Sequence, residues 1–422
     1  MGAGRVVPEV KYMLKPGYER DLGLLLDQYE KLTLSVMERS ANLGVSEVQL
    51  ETEFVEPVVL NRGWARALAE KQKEVMGRYH SERGIRTALR GTVADVRRFS
   101  EGLRRGAHFE AMLECFNTAS QGGADAVSIE SRGGQDVFTY SLIRNDLAGI
   151  LFAVSVLAPR DVRFLWREIT KNCGDAIPAG DTACALANTA MVMADGLTAR
   201  KISHVLSAVI RAMSAVRTLA SFEEGARGPG KDCAYENVIV KAATGNPVSM
   251  EGKTSAMAHS SLVGNVAAAA CDMWSNETIV FDDTFGGKST AVILEMLSYD
   301  TALMNQSISS GTNRVLGRLY AESDRYRDPQ ALILCPDSAL RIARAILSER
   351  GDYERVLGAA KEAVEIIEEN TEHLKLVEME LKYLALMKRF LESAPEEHRL
   401  IDESVRKYGQ KVGEFRASNY EL

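Results

Sequence analysis

Strand-like runs alternating with helical periodicities over more than half of the chain predict an α/β protein, a TIM-type (β/α)8 barrel with additional N-terminal and C-terminal helices. Three observations carry that expectation. Short apolar or alternating runs recur between segments of three-four periodicity, and strands separated by helices pair in parallel because a parallel neighbour needs a crossover connection. The strand candidates are 45–54, 84–93, Ala124–Glu130, Ile150–Val156, Asp175–Ala179 and Ala215–Phe222, with Pro247–Glu251 and Thr278–Asp282 weaker. From Ser289 onward the strand signals stop and long helical periodicities take over. An open doubly wound sheet is the rival arrangement.

In chain order, residues 1–20 carry little pattern and are expected to drape over the body. Apolar residues at three and four spacing (Leu22, Leu25, Leu26, Tyr29, Leu32) predict a helix over Glu19–Leu43, with Gly44 placed to stop it. Helices follow at Trp64–Glu82, Asp95–Arg105, His108–Gln121, Ser141–Gly149 and Asp161–Lys171, and a mainly helical run extends from Ala185 to Ser214 with a break at Gly196. The division this implies is an N-terminal helical segment (1–44), a barrel core (45–288) and a helical C-terminal part (289–422).

With 26% charged and 46% apolar residues the chain can bury an ordinary globular core. A formal net charge of −7 gives no electrostatic reason to bind nucleic acid. The longest apolar run, Ala148–Ala158, is interrupted by Gly149 and Ser155 and falls short of the roughly 20 residues a membrane span needs. The cysteines are scattered and the start MGAGRVVPEV has no apolar signal core, so a soluble, cytoplasmic protein is expected.

Three residues stand at or just after predicted strand ends: Glu130 in IESRGG, Cys184 in GDTACA and Cys233 in GPGKDC. In a barrel, that is where the active site is built. One carboxylate and two thiolates suit zinc, and three protein ligands leave a fourth position open to substrate. On spacing alone two readings stay open: a metal set, or two buried thiols and a carboxylate paired with a nearby arginine. His259 is either a fourth ligand or proton shuttle, or a hydrogen-bonded structural histidine; Asp181 is either a group that orients the site or a turn cap. Cys115, Cys173, Cys271 and Cys335 have helical or helix-flanking settings and read as core. FGGKST is no phosphate loop, because Asp282 stands where that motif needs glycine.

At these positions the sequence resembles the zinc-dependent methanol:corrinoid methyltransferase B-subunit family. The resemblance runs through LETEFVEP, MGRYH, ESRGGQDVF, RNDLAGIL, AGDTACALANTAM, GARGPGKDCAYENVIVKA, MEGKTSAMAHS, CDMWSNET and SDRYRDPQA. It implies a barrel with added helices, zinc held by Glu130, Cys184 and Cys233, and transfer of the methyl group of methanol to Co(I) of a corrinoid (cobalamin). No DxHxxG motif occurs here, so the corrinoid is expected on a separate corrinoid-binding protein, in a complex built around a homodimer of this chain. The alternatives are demethylation of another methoxylated compound by the same chemistry, or a non-catalytic zinc scaffold that docks a corrinoid protein.

Overall fold

The structure is a computed structural model that describes residues 1, 4–12, 14–99, 102–181, 184–194, 201–231, 235–252, 263–277, 283–284 and 287–422. Its centre is a curled parallel sheet of seven strands: β1 (Val7–Tyr12), β2 (Glu47–Phe54), β3 (Arg86–Ala94), β4 (Ala126–Glu130), β5 (Ile177–Asp181), β6 (Ser249–Glu251) and β7 (Met273–Glu277). The order is β5-β4-β3-β2-β1-β7-β6. Among the described residues the α-helices between them are α1 (Leu22–Leu43), α2 (Glu56–Leu60), α3 (Trp64–Arg83), α4 (Ala107–Gln121), α5 (Gln135–Ile143), α6 (Leu147–Phe152), α7 (Ala158–Asn172), α8 (Thr189–Ala194), α9 (His204–Glu223), α10 (Asn237–Thr244) and α11 (Gly264–Ala268).

Each strand alternates, and the alternation decides what faces what. Val10, Val48, Leu50, Phe54, Leu89, Val93, Val127 and Ile129 are buried on the helix side. Gly91 belongs to that side because a Cβ there would lie 2.6 Å from the Phe54 ring. The residues between them turn inward. Beyond β5, segment 227–231 hydrogen-bonds to both outer strands: Arg227 and Gly228 donate to Pro178 O and Ala179 O (2.7 and 3.0 Å), Gly230 N donates to Pro247 O (3.3 Å) and Ser249 N to Gly230 O (2.8 Å).

Four expectations are corrected. Residues 7–12 are not draped over the body and are not helical; they form β1, between β2 and β7, so the sheet begins well before residue 45. Ile150–Val156 is helical, running from α6 through a π-helical turn (Ala153–Leu157) into α7, and Ala215–Phe222 is the second half of α9. Both are mainly apolar, and all of their residues but Phe222 are buried, polar Ser155, Arg217, Thr218 and Ser221 included. A run of that kind reads the same whether it is a core strand or a core helix. Among the described residues of Asp95–Arg105, only Val96–Phe99 is helical, as a 3-10 turn. Strand β7 lies just before the predicted Thr278–Asp282, which is itself outside the described residues, as is the Gly196 break.

Helix α9 is long and apolar enough to cross a membrane, yet 94% of its apolar window is buried inside the protein, so it is a core helix. The long chain segment from Ser289 is helical as expected, and its helix Asp352–Glu369 packs on α9.

Candidate metal centre

The parallel register carries Glu9 and Lys11 of β1, Gln49, Glu51 and Glu53 of β2, Arg90 and Thr92 of β3, and Ser128 and Glu130 of β4 to the inner face of the curl. Buried charge must be paired. Arg90 donates to Glu9 (2.8 Å), to Ser128 Oγ (2.9 Å) and to Pro229 O (2.8 Å), which ties β3 to segment 227–231. Glu51 accepts from Thr92 Oγ1 (2.6 Å) and pairs with Lys231 Nζ (2.8 Å). Burial works to raise the pKa of Glu51, but Lys231, Lys11 and Arg90 outweigh it and hold the carboxyl below its usual range.

Glu130 is the last residue of β4. The ammonium groups of Lys11 and Lys231 each lie 3.8 Å from its Oε1, and Lys11 also pairs with Glu53 (3.4 Å). Its carboxylate is 27% exposed, while the two lysines are almost fully buried. The exposed part opens on a cleft of about 230 Å3 lined by Glu53, Thr92, Ala94, Asp95, Glu130 and Arg132, among others. Glu130 thus brings an acidic side chain to the edge of the cleft, with two lysines paired to its Oε1.

The loop after Glu130 (Ser131–Gly134) is fixed residue by residue. Ser131 donates through its N–H and its hydroxyl to Asp181 (3.4 and 3.1 Å), and Arg217 of α9 donates to Ser131 O (3.0 Å), Ser131 Oγ (2.7 Å) and Asp181 (2.5 Å). Trp166 Nε1 completes the Asp181 shell at 3.0 Å. Even so, burial pushes the Asp181 carboxyl above its usual range, against the pull of Arg217. Arg132 N donates to Asp95 (2.9 Å), which with Asp161 brackets the buried Arg97. Gly133 lies against Asp161, where a Cβ would come within 2.3 Å, and Gly134 N donates to the Tyr420 hydroxyl (2.9 Å).

Of the predicted site residues, Glu130 stands where the sequence reading put it. The backbone of Cys184 opens a short π-helical turn (Cys184–Asn188) just beyond β5, the hydrogen-bonded neighbour of β4, so both residues belong to the same end of the sheet. Cys233 and His259 lie outside the described residues. Among the described residues no three His, Cys, Asp or Glu side chains converge as a metal site. Asp181 accepts from Ser131, the residue that follows Glu130. Lys11, Lys231, Glu51, Glu53 and Arg217 were missed. For the β1 and β2 residues the signal was present, as polar residues at every second position of VPEVKY and EVQLETEF.

The sequence model described as Methanol-cobalamin methyltransferase B subunit matches residues 1–421. This chain belongs to that family. It is 42% identical to a methanol–corrinoid protein co-methyltransferase of Methanosarcina barkeri over 427 aligned positions, covering 100% of this chain and 92% of the relative. It also superposes on a chain of the crystal structure of the methanol:cobalamin methyltransferase complex MtaBC from Methanosarcina barkeri, with a TM-score of 0.95 and 41% identity over 100% of this chain and 93% of the other. Membership in the methanol-cobalamin methyltransferase B-subunit family thus extends through the helices after Ser289 as well as the sheet.

Proposed function

We propose that this chain transfers the methyl group of methanol to the cobalt of a corrinoid carried by a separate protein, with a zinc ion held by Glu130, Cys184 and Cys233. The observation that carries the reading is the place of Glu130: on the inner face, at the C-terminal end of β4, open to a cleft, one strand away from residue 184. In this reading segment 227–231 is the eighth stave that closes a (β/α)8 barrel between β5 and β6, and Cys233 follows it directly.

The donor set fits the ion, since a carboxylate and two thiolates are ordinary zinc ligands and three of them leave room for substrate. Bound there, zinc supplies a Lewis acid that offsets charge developing on the alcohol oxygen as the C–O bond breaks. The rest falls to side chains of the chain itself. Lys11 and Lys231 pair with Glu130 through its Oε1, and Glu51 and Glu53 offset the charge of the two lysines. The cleft is polar and small, which suits a one-carbon alcohol, and the fixed loop 131–134 keeps the carboxylate from drifting.

The same reading makes the protein cytoplasmic, in keeping with the buried, free Cys115, Cys173, Cys271 and Cys335. It also includes a homodimer. Exposed Met296, Tyr299 and Leu303 on helix Ser289–Ser309, with Val315 and Leu319 on the next helix, offer an apolar face for it. Light scattering of the purified chain measures the mass.

The test mixes the protein with its cognate corrinoid protein, reduces the cobalt to Co(I), adds methanol and follows the cobalt absorption. Methyl-Co(III) is expected with the parent, together with about one zinc per chain. Cys184→Ala and Cys233→Ala are each expected to lose most of the metal, and Glu130→Gln to weaken metal binding and turnover more than the fold. Stoichiometric zinc in both cysteine variants would rule out the ligand set. Conversion by a methoxylated aromatic with none by methanol would move the substrate to a larger donor.

A further inference from the structure

We propose that Tyr420 is a positioning residue for Glu130, acting through the backbone of loop 131–134. The proposal rests on the zinc reading above.

Gly134 sits at the N-cap of α5 with φ of +81°, and its N–H points away from the helix to the Tyr420 hydroxyl. The donor and acceptor are 286 positions apart in sequence, and both are buried. The loop has little freedom to shift at that point, since a Cβ on Gly134 would already lie 3.1 Å from Ala153 O and from Leu157 Cβ. Tyr420 is fixed in turn. Its ring stacks on Phe415 at 6.1 Å between centroids, its carbonyl accepts from Arg160 (3.4 Å), and the neighbouring Glu421 carbonyl accepts from the same guanidinium (3.2 Å). Asn419 accepts from Leu103 N (3.3 Å), and Leu103 O accepts from Arg97 (3.1 Å). Segment 417–422 therefore spans the β3–α4 loop, the first turn of α7 and the loop that leaves Glu130. It holds the loop at Gly134, whereas Asp181 and Arg217 hold it at Ser131. A metal-binding carboxylate at a strand end keeps its aim only if the next few residues are held, and loss of such outer contacts typically lowers metal affinity about 10- to 100-fold.

The test measures zinc affinity of the full-length chain by competition with a chromophoric chelator, alongside thermal unfolding. Tyr420→Phe removes only the hydroxyl. Tyr353→Phe is the control, since it deletes a buried tyrosine's hydroxyl donation to Pro395 O, a contact that does not touch loop 131–134. Tyr420→Phe is expected to weaken zinc binding by about tenfold, with a Tm matching that of Tyr353→Phe, which keeps parent affinity. Asn419→Ala, which loosens the same segment nearer the surface, is expected to shift affinity in the same direction by less. Parent zinc affinity in Tyr420→Phe overturns the proposal, as does an equal loss in Tyr353→Phe. Glu130→Gln separates the two readings. If it weakens zinc while Tyr420→Phe does not, only the positioning role fails; if it leaves zinc untouched, the metal assignment fails first.

Discussion

Two buried arginines hold the loop after Glu130 from opposite sides, and their carboxylate partners respond in opposite ways. On one side Arg97 divides its fork between Asp95 and Asp161, with two N–H donations to each at 2.8–2.9 Å, and Asp95 also accepts from Arg97 N and Arg132 N. Burial favours the neutral acid at Asp95, but those donors outweigh it, and the carboxyl sits below its usual range. On the other side Arg217 gives Asp181 a single N–H, the remaining contacts coming from Trp166 and Ser131. There burial wins and the carboxyl is raised. Equal burial and an arginine in each case lead to opposite outcomes. At Asp95 the charge of Arg97 and the hydrogen bonds that Arg97 and Arg132 donate together outweigh burial, whereas at Asp181 the charge of Arg217 with the contacts from Trp166 and Ser131 does not.

The largest expected effect separates the two sides by deleting each arginine. Arg97→Met strands two buried carboxylates and is expected to cost about 3–5 kcal/mol in urea unfolding. Arg217→Met strands one carboxyl that already tends to take a proton, so the loss should be nearer about 1–3 kcal/mol. Equal losses would break the comparison. A smaller effect is carried by pH. The stability that Asp95 contributes is present above its unfolded value of about 3.9 and is lost as pH falls through its lower folded value. Asp181 has the opposite sign: its folded value is raised, so its contribution is greatest below about 3.9 and declines as pH rises through the folded value. Unfolding free energies across roughly pH 3 to 6 should therefore show the gap between parent and Asp95→Asn widening as pH rises, and the gap between parent and Asp181→Asn narrowing. Gaps that move together would mean that the two carboxylates are alike. The smallest effect is on the surface, where Lys388 meets Glu368 with both side chains nearly half exposed. Lys388→Ala is expected to leave the unfolding midpoint unchanged, because solvent screens such a pair; a clear shift there would show that a single exposed pair matters as the buried ones do.

Much of the alternating architecture was legible in the residues. β2 and β3 were legible as strand-like runs, α1 by its periodicity and the Gly44 that stops it, and α3 and α4 as helical segments. Glu130 was legible as a strand-end carboxylate. What failed has a common cause. Ile150–Val156 and Ala215–Phe222 are buried on every side, which erases the contrast between faces that distinguishes a period of two from one of 3.6. β1 failed for the converse reason. Glu9 and Lys11 alternate with Val10 as a solvent-washed strand would, but in a curled sheet the polar face turns to the axis and the apolar face to the helices.

By itself the sequence determined the local order of the chain: where periodic segments start and stop, that strands and helices alternate, and that a carboxylate and two cysteines follow strand-like or turn-like segments. These depend on neighbours a few residues away. The tertiary structure alone decided that Lys11 and Lys231 face Glu130, that Arg97 and Arg217 hold the loop from two sides, and that Tyr420 reaches Gly134 across most of the chain. Those pairings follow from the curl and register of the sheet. No local pattern encodes them, because a buried charge is tolerated only where the completed fold supplies its partner.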